Sequence, residues 1–208
     1  MRLVIFGPQG AGKGTQSARI SEKYGIPAIS TGEIFRAAQA GRTALGLRVL
    51  EYLTAGRLVP DELTIKVVTE RLEAPDAQEG FLLDGFPRNV AQADALERLD
   101  KPLDAVLAIE VPQEVSLRRV LGRMACTRCG RNYSIDMPPE NDGICDACGG
   151  EVERRADDLD ETTVLQRLNI YHEQTEPLKE YYTERGILKE IDGVGTPDEV
   201  FARIAAVL

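Results

Sequence analysis

The sequence predicts an α/β fold built on a parallel β-sheet, and three observations indicate it. Short, continuous apolar segments alternate with helical segments along the chain. Unbroken apolar strands of this kind are typical of parallel sheets that helices cover on both faces. A glycine-rich loop directly follows the first apolar segment, which is where phosphate-binding loops lie between a strand and a helix.

The individual elements follow from the apolar segments and from the residues that start and stop helices. Five strands are expected, at residues 2–6, 27–30, 81–86, 104–111 and 187–192. A helix is expected over residues 13–24, because Gly25 provides a stop. Capping boxes are expected at residues 30–33 and 196–199, and Asp61 is expected to cap a further helix.

The composition excludes several classes of protein. The chain has 208 residues, of which 43% are hydrophobic and 28% charged, as in ordinary globular domains. No apolar run approaches the ~20 residues of a membrane span, and the run Leu3 to Phe6 is too short for a signal peptide. A cytoplasmic protein is therefore expected. The net charge of −9 argues against a broad nucleic-acid or membrane surface but leaves room for a small pocket rich in arginine.

The segment GPQGAGKGT, residues 7–15, has the features of a phosphate-binding loop. Its glycines allow several backbone N–H groups to surround an anion, and the following helix adds the positive end of its dipole. Lys13 supplies a positive charge for the outer phosphates. The strict pattern has serine or threonine directly after the lysine, whereas here Gly14 intervenes and Thr15 carries the hydroxyl. A glycine-rich turn without a ligand is the alternative, and the four glycines with Lys-Gly-Thr argue against it.

Three further segments indicate a second anion site at the carboxyl edge of the sheet. They are STGEIFR (30–36), GRLVPDEL (56–63) and LLDGFPRNVAQ (82–92). Asp84 ends a strand beside the phosphate loop, where a carboxylate usually serves Mg²⁺, often through water. Arg88 lies at the sheet edge where ligands of open α/β sheets bind, and Gln92 is a candidate for pairing with the edge of a base. Each of these residues taken singly is typical of an ordinary surface.

All four cysteines lie in one segment, as two Cys-x-x-Cys pairs separated by 15 residues. This spacing matches zinc ribbons and predicts that Cys126, Cys129, Cys145 and Cys148 hold a structural Zn²⁺. Four thiolates leave no open position for catalysis, so the metal is expected to fold a segment with too little apolar sequence of its own. Disulfides and metal-free thiols are the alternatives, and disulfides are rare in the cytosol.

The segments GPQGAGKGT, STGEIFR, GRLVP and DGFPR, followed by ERRADD and TTVLQRL, closely resemble those of the adenylate kinases among the nucleoside monophosphate kinases. The resemblance covers essentially the whole chain. It implies a P-loop NTPase core with a five-stranded parallel sheet, formed by residues 1–29, 60–121 and 160–208. It also implies a helical AMP-binding insertion at 30–59 and a zinc-binding lid at 122–159. The implied reaction is MgATP + AMP ⇌ 2 ADP, commonly carried out by a monomer.

The resemblance also implies roles for individual residues. On the ATP side these are Gly10, Ala11, Gly12, Lys13, Gly14 and Thr15 at the phosphates, Arg123, Asn132 and Tyr133 from the lid, and Gly195 at the adenine. On the AMP side they are Thr31, Arg36, Arg57, Leu58, Val59, Gly85, Phe86, Pro87, Arg88 and Gln92, with Arg155 and Arg167 at the phosphates. The expected catalytic residues are Lys13, Arg88, Arg123, Arg155 and Arg167, with Asp84 holding Mg²⁺ through water.

The chemistry of phosphoryl transfer explains this concentration of cations. The reaction needs in-line positioning and neutralisation of charge more than covalent help. ATP and AMP together bring about six negative charges, which an acidic protein binds only with a local cationic cluster. Arginine suits the cluster because its planar fork binds phosphate oxygens bidentately.

Two departures from the family pattern affect the assignment of arginines. The segment between ERRADD and the Arg167-Leu168 pair is one residue longer than usual, and Arg167 is assigned on the assumption that the extra residue lies before Val164. Arg154 neighbours Arg155, and the following Ala-Asp-Asp favours Arg155.

Three other functions remain open from the sequence. The nearest is a related kinase with GTP as donor or another monophosphate as acceptor. The second is a zinc-ribbon nucleic-acid-binding protein, against which the net charge argues. The third is a P-loop ATPase motor or switch, against which the second anion site argues.

Overall fold

The central sheet of the molecule is parallel and has the five strands that the sequence predicts. The computed structural model describes residues 1–135, 137–155 and 158–208. The strands are β1 (Arg2–Phe6), β2 (Ala28–Ser30), β3 (Phe81–Asp84), β4 (Ala105–Glu110), β5 (Met124–Cys126), β6 (Asn132–Tyr133), β7 (Val152–Arg154) and β8 (Leu188–Asp192). In the central sheet they run in the order β2-β3-β1-β4-β8, and a second, antiparallel sheet has the order β6-β5-β7. The α/β prediction is therefore confirmed.

Helices connect the parallel strands. They are α1 (Lys13–Tyr24), α2 (Thr31–Ala40), α3 (Ala44–Thr54), α4 (Asp61–Leu72), α5 (Val90–Glu97), α6 (Gln113–Leu121), α7 (Glu161–Ile170), α8 (Leu178–Glu184) and α9 (Pro197–Ala205). Helix α1 has the predicted bounds, and Gly25 ends it with a left-handed backbone at φ 65°. The capping box predicted at residues 196–199 is present, with hydrogen bonds in both directions between Thr196 and Glu199.

The predicted cap at Asp61 is wrong. Asp61 is the first residue of α4, and Pro60 occupies the cap position. The Asp61 carboxylate instead accepts hydrogen bonds from Asn89 Nδ2 at 3.0 Å and from Gln92 Nε2 at 2.6 Å. The Asp61 carboxylate therefore links the start of α4 to the start of α5, where the side-chain amides of Asn89 and Gln92 donate to it.

Two hydrophobic clusters cover the two faces of the central sheet. In β1, Val4 and Phe6 belong to one cluster, while Leu3 and Ile5 belong to the other. Successive residues of a strand point to opposite faces, so both faces of this strand are buried. Within the described residues, no helix combines the length and the apolar character needed to cross a membrane.

The pairing of strands brings two functional segments together at one edge. Because β1 and β3 are parallel neighbours, Ile5 pairs with Asp84, and the glycine loop that follows β1 lies beside the end of β3. Parallel strands present their carboxyl ends at the same edge of the sheet, where ligands bind in open α/β folds.

Two smaller units have apolar clusters of their own. Helices α2 and α3 pack closely, since a Cβ added at Gly46 would lie 2.0 Å from the Ala38 carbonyl oxygen. Phe35 and Val49 are buried in this cluster. The antiparallel sheet has a separate buried cluster, which consists of Cys126, Tyr133, Cys145 and Val152.

Candidate functional site

A cleft of about 780 Å³ opens at the carboxyl edge of the central sheet. Of the residues predicted to contact nucleotides or Mg²⁺, it is lined by Gly10, Ala11, Gly12, Lys13, Gly14, Thr15, Thr31, Arg36, Arg57, Leu58, Val59, Asp84, Gly85, Arg88, Gln92, Arg123, Asn132, Tyr133, Arg155, Arg167 and Gly195. Phe86 and Pro87 are buried behind this lining, and Phe86 belongs to the core of the sheet. Predicted site residues as distant in the sequence as Gly10 and Gly195 thus line one cavity.

The glycine loop is shaped by close packing against its neighbours. A Cβ added at Gly7 would lie 2.2 Å from the Ile109 carbonyl oxygen, and one at Gly10 would lie 2.6 Å from that of Ser116. Only glycine fits such approaches. Gly12 stands at the start of α1 with φ 94° and no side-chain cap, so the first N–H groups of the helix remain available to an anion.

Lys13 lies inside this loop and is half-buried, with its exposed part facing the cleft. Its Nζ donates to the carbonyl oxygens of Gly7 and Pro8, each at 2.8 Å. Burial lowers the pKa of Lys13 to about 8, while the nearby carboxylate of Asp84 opposes this change. The positive charges of Arg88, Arg123 and Arg167 lower the pKa further.

Asp84 is the carboxylate at the centre of these cations. Burial raises its pKa above the usual range, and the positive charges of Lys13, Arg88 and Arg36 act in the opposite direction. A desolvated carboxylate surrounded by cations at a strand end is a suitable oxygen donor to a hydrated Mg²⁺.

The segment after β3 holds the second predicted anion site. Thr31 Oγ1 donates to the Gly85 carbonyl oxygen at 2.9 Å, and Arg88 Nε donates to the same oxygen at 2.8 Å. Gln92 is buried, and its Oε1 accepts from the Arg88 backbone N–H at 2.8 Å. Gln92 is thus hydrogen bonded to both Arg88 and Asp61 while it lines the cleft.

Asp158 brings three arginines together, and the sequence reasoning missed it. Its buried carboxylate accepts from Arg123 Nε at 2.7 Å and Nη2 at 2.8 Å, and from Arg167 Nη1 at 2.9 Å. Arg155 Nε lies 3.8 Å from the same carboxylate. The signal was present in the segment ERRADD, whose last residue is Asp158, but only its arginines were assigned. Ala156 and Asp157 of that segment lie outside the described residues.

The choice between Arg154 and Arg155 follows from their neighbours. Arg154 lies in β7 and donates to the Leu121 carbonyl oxygen at 3.0 Å, whereas Arg155 lines the cleft beside Asp158. Arg167 also reaches Asp158 from α7. Arg155 and Arg167 thus both line the cleft, and their roles towards phosphates stay predictions.

Arg119 is a second residue that the sequence reasoning missed. Its guanidinium donates to the carbonyl oxygens of Gly193 at 3.1 Å and Gly195 at 3.4 Å, and it lines the cleft. It therefore holds the loop after β8, where Gly195 was predicted to meet a base. A basic residue in α6 carries no motif that would have marked it.

Asn132 and Tyr133, which were both predicted to reach ATP from the lid, point in different directions from each other. Asn132 faces the glycine loop, with its Nδ2 3.7 Å from where a Cβ of Gly14 would lie. The Tyr133 hydroxyl instead points into the cysteine cluster, where it donates to Cys145 Sγ at 3.3 Å and accepts from the Asp146 N–H at 2.9 Å.

The four cysteines form one cluster that suits a tetrahedral metal ion. Their Sγ atoms all lie within 4.8 Å of one another, and Cys126–Cys148 and Cys129–Cys145 are each 3.5 Å apart. Zn–S bonds of about 2.3 Å in a tetrahedron place sulfurs ~3.7 Å apart. A Cβ added at Gly150 would lie 3.0 Å from Cys126 Sγ, so glycine makes room for the cluster. The donor set therefore fits a structural Zn²⁺.

Comparisons with known proteins match almost the whole of this chain to adenylate kinases. A model of the adenylate kinase family matches residues 5–187. The adenylate kinase of Carboxydothermus hydrogenoformans is 51% identical over 209 residues, covering 98% of this chain and 97% of that protein. The adenylate kinase of Methanosarcina barkeri is 49% identical over 213 residues, covering 100% and 98%. That of Syntrophobacter fumaroxidans is 48% identical over 213 residues and covers both chains completely.

Proposed function

The chain belongs to the adenylate kinase family, and from this premise we propose that it transfers a phosphoryl group from MgATP to AMP. The products are two ADP, and the reaction is reversible, so the enzyme balances the adenine nucleotides. The observation that supports the proposal most is the meeting of Lys13, Arg88, Arg123, Arg155 and Arg167 around one cleft beside the glycine loop.

The proposal divides the chain into three parts with different tasks. Residues 1–29, 60–121 and 160–208 form the core, residues 30–59 form the AMP-binding insertion, and residues 122–159 form the lid. The separate apolar clusters of the α2–α3 pair and of the antiparallel sheet support this division, because each unit has buried residues of its own.

On the donor side, the glycine loop binds the phosphates of ATP. The backbone N–H groups of Gly10 to Thr15 surround the anion, and Lys13 neutralises the outer phosphates. Arg123 and Asn132 approach from the lid, and Gly195 offers its backbone to the adenine. Tyr133 supports this surface from behind, since its hydroxyl is held in the cysteine cluster.

On the acceptor side, AMP lies between the α2–α3 pair and the segment after β3. Thr31, Arg36, Gly85, Arg88 and Gln92 line that part of the cleft. Arg57, Leu58 and Val59 line it from the end of α3, while Phe86 and Pro87 support it from the core. The phosphate of AMP is placed against Arg88, with Arg155 and Arg167 beyond it.

The residues promote transfer by holding two anions in line. Phosphates repel one another, and the arginines that line the cleft offset that repulsion. Mg²⁺, held through water by Asp84, neutralises charge on the phosphates of ATP when it is bound. Zn²⁺ at the four cysteines stabilises the lid that presents Arg123 and takes no part in the chemistry. A monomer in the cytoplasm that acts on ATP, AMP and ADP, with no nucleic-acid or membrane partner, completes the proposal.

A coupled assay of ADP formation tests this function. ATP should give ADP rapidly when AMP is present and only slowly without it. Replacing ATP with GTP, and AMP with UMP or CMP, should lower the rate. Equal ADP formation with and without AMP would identify an ATPase instead, and a higher rate with GTP or with another monophosphate would identify a related kinase.

A further inference from the structure

We propose that Thr175 is a positioning residue for Arg88 in the proposed transfer to AMP. Thr175 is buried and lies beside the cleft. Its Oγ1 donates a hydrogen bond of 2.8 Å to the backbone carbonyl oxygen of Arg88. The inference rests on the proposed function, because Arg88 matters only if a phosphoryl group is transferred beside it.

The backbone of Arg88 is held on both sides. Its N–H donates to Gln92 Oε1 at 2.8 Å, and its carbonyl oxygen accepts from Thr175. The Arg88 side chain is anchored as well, since Nε donates to the Gly85 carbonyl oxygen at 2.8 Å. Of the two backbone contacts, the one from Thr175 crosses 87 residues of sequence. It links the segment after β3 to the helical region between α7 and α8.

The position of Thr175 follows from a widened helical turn. Residues Tyr171–Thr175 form a π-helical turn after α7, and the Glu176 N–H donates to the Tyr171 carbonyl oxygen at 2.9 Å. Pro177 follows this turn. Proline lacks an N–H, and its ring collides with the carbonyl of the residue four positions earlier, so a regular α-helix does not continue through it. Such π-turns are frequent at functional sites, and this one turns Thr175 towards Arg88.

The hydroxyl of Thr175 fixes the backbone of Arg88 by donating to its carbonyl oxygen. A buried hydroxyl without a partner costs free energy, and the Arg88 carbonyl is the partner that this structure gives it. Burial also lowers the pKa of the half-buried Arg88 guanidinium. Where protein replaces part of the water around a guanidinium, contacts with the protein set its orientation. A shift of about 1 Å in such a group is enough to cost a large part of the rate.

The test replaces Thr175 with valine, which keeps the shape and removes the hydroxyl. We expect T175V to lower kcat roughly threefold to tenfold, the range that loss of one neutral hydrogen bond allows. The KM for ATP should stay within about twofold. T175S, which restores the hydroxyl, should return kcat to within about twofold of the wild type. T183V is the matched control, because the Thr183 hydroxyl also donates to a backbone carbonyl but is exposed on α8; its kcat should match the wild type.

A double-mutant cycle separates positioning from general stability. In an Arg88→Ala background, adding T175V should change the residual rate less than about twofold, because no guanidinium remains to be aimed. Thermal unfolding of every variant is measured first, and T175A replaces T175V under the same criteria if the valine variant does not fold. A wild-type kcat in T175V, or the same fold-loss in the Arg88→Ala background, would overturn the inference. AMP-dependent ADP formation by the wild type is recorded beside each variant, so a failure of the proposed function is seen separately.

Discussion

Replacing Lys13 with methionine should make the protein nearly inactive and should remove a pH dependence from the stability of its nucleotide-free form. The outer phosphates lose the cation inside the glycine loop, and we expect the rate to fall by at least ~10²-fold, as on loss of one electrostatic stabiliser. The pH dependence of stability has a different origin. The charged amine is buried, and its pKa falls from 10.5 to about 8 in the folded chain.

The magnitude and the sign follow from this pKa. This fall in the pKa of Lys13 corresponds to roughly 3 kcal/mol, by which burial of the charged amine destabilises the fold when the pH lies below 8. The cost disappears as the pH rises from the folded pKa towards the unfolded one, since the unfolded chain then binds more protons than the folded chain. Methionine removes the whole cost, but it also removes the two hydrogen bonds to Gly7 and Pro8. Hydrogen bonds from a charged donor are worth about 1.5–3 kcal/mol each. They offset the cost of burial near pH 7, so the difference between the two proteins is seen in its dependence on pH.

Urea unfolding of both proteins between pH 7 and pH 10 measures this directly. The free energy of unfolding of the wild type should rise relative to Lys13→Met by roughly 2 kcal/mol across that range. Groups distant from Lys13 cancel in the comparison, whereas the pKa of Asp84 rises when the charge of Lys13 is lost; the same measurement in an Asp84→Asn background isolates the contribution of Lys13. A constant difference at all pH values would show that Lys13 is not strained by burial. A near wild-type rate would remove Lys13 from the mechanism.

Three further substitutions test other parts of the site. Arg88→Lys should lower kcat at least about tenfold although the charge is kept, because lysine lacks the bidentate fork; equal activity would show that charge alone matters. Cys145→Ser should lower the zinc content per chain and the melting temperature. The affinity for AMP should change less than the protection against thermal unfolding that ATP gives. An unchanged melting temperature in a metal-free protein would contradict a structural zinc. Asp158→Asn removes the buried charge that accepts hydrogen bonds from Arg123 and Arg167, so the free energy of unfolding should fall by about 3 kcal/mol and nucleotide should restore part of it in a thermal-shift assay; no loss of stability would contradict the role given to this carboxylate.

The sequence predicts those features that depend on local pattern. Continuous apolar segments identified β1, β3 and β4, which are buried on both faces. The edge strands β2 and β8 are only partly buried, and their short apolar segments were still enough to place them. The glycine loop was recognisable because close approach to Ile109 and Ser116 demands glycine at fixed spacing. The four cysteines were recognisable for a similar reason, since tetrahedral coordination demands two close pairs.

Contacts between distant segments were not predictable in this way. Aspartate is a residue type that commonly caps helices, but the partner of Asp61 is Gln92, which lies 31 residues away in the sequence. No rule based on neighbouring residues predicts that pairing. Asp158 was not identified because a carboxylate next to arginines in the sequence is usually exposed, and only the fold shows that Arg123 and Arg167 both contact it. The direction of the Tyr133 hydroxyl likewise depends on how the antiparallel sheet folds around Cys145.

The apolar cluster of the antiparallel sheet bears on how this sequence can change over time. Its buried residues Cys126, Tyr133, Cys145 and Val152 belong to neither cluster that covers the central sheet. A substitution inside the small cluster therefore leaves the packing of β1 and β4 unaltered, and needs no compensating change there. The segment can drift, or be exchanged as a block in a chimaera with a relative, under selection only for its own folding and for the side chains that it presents to the cleft.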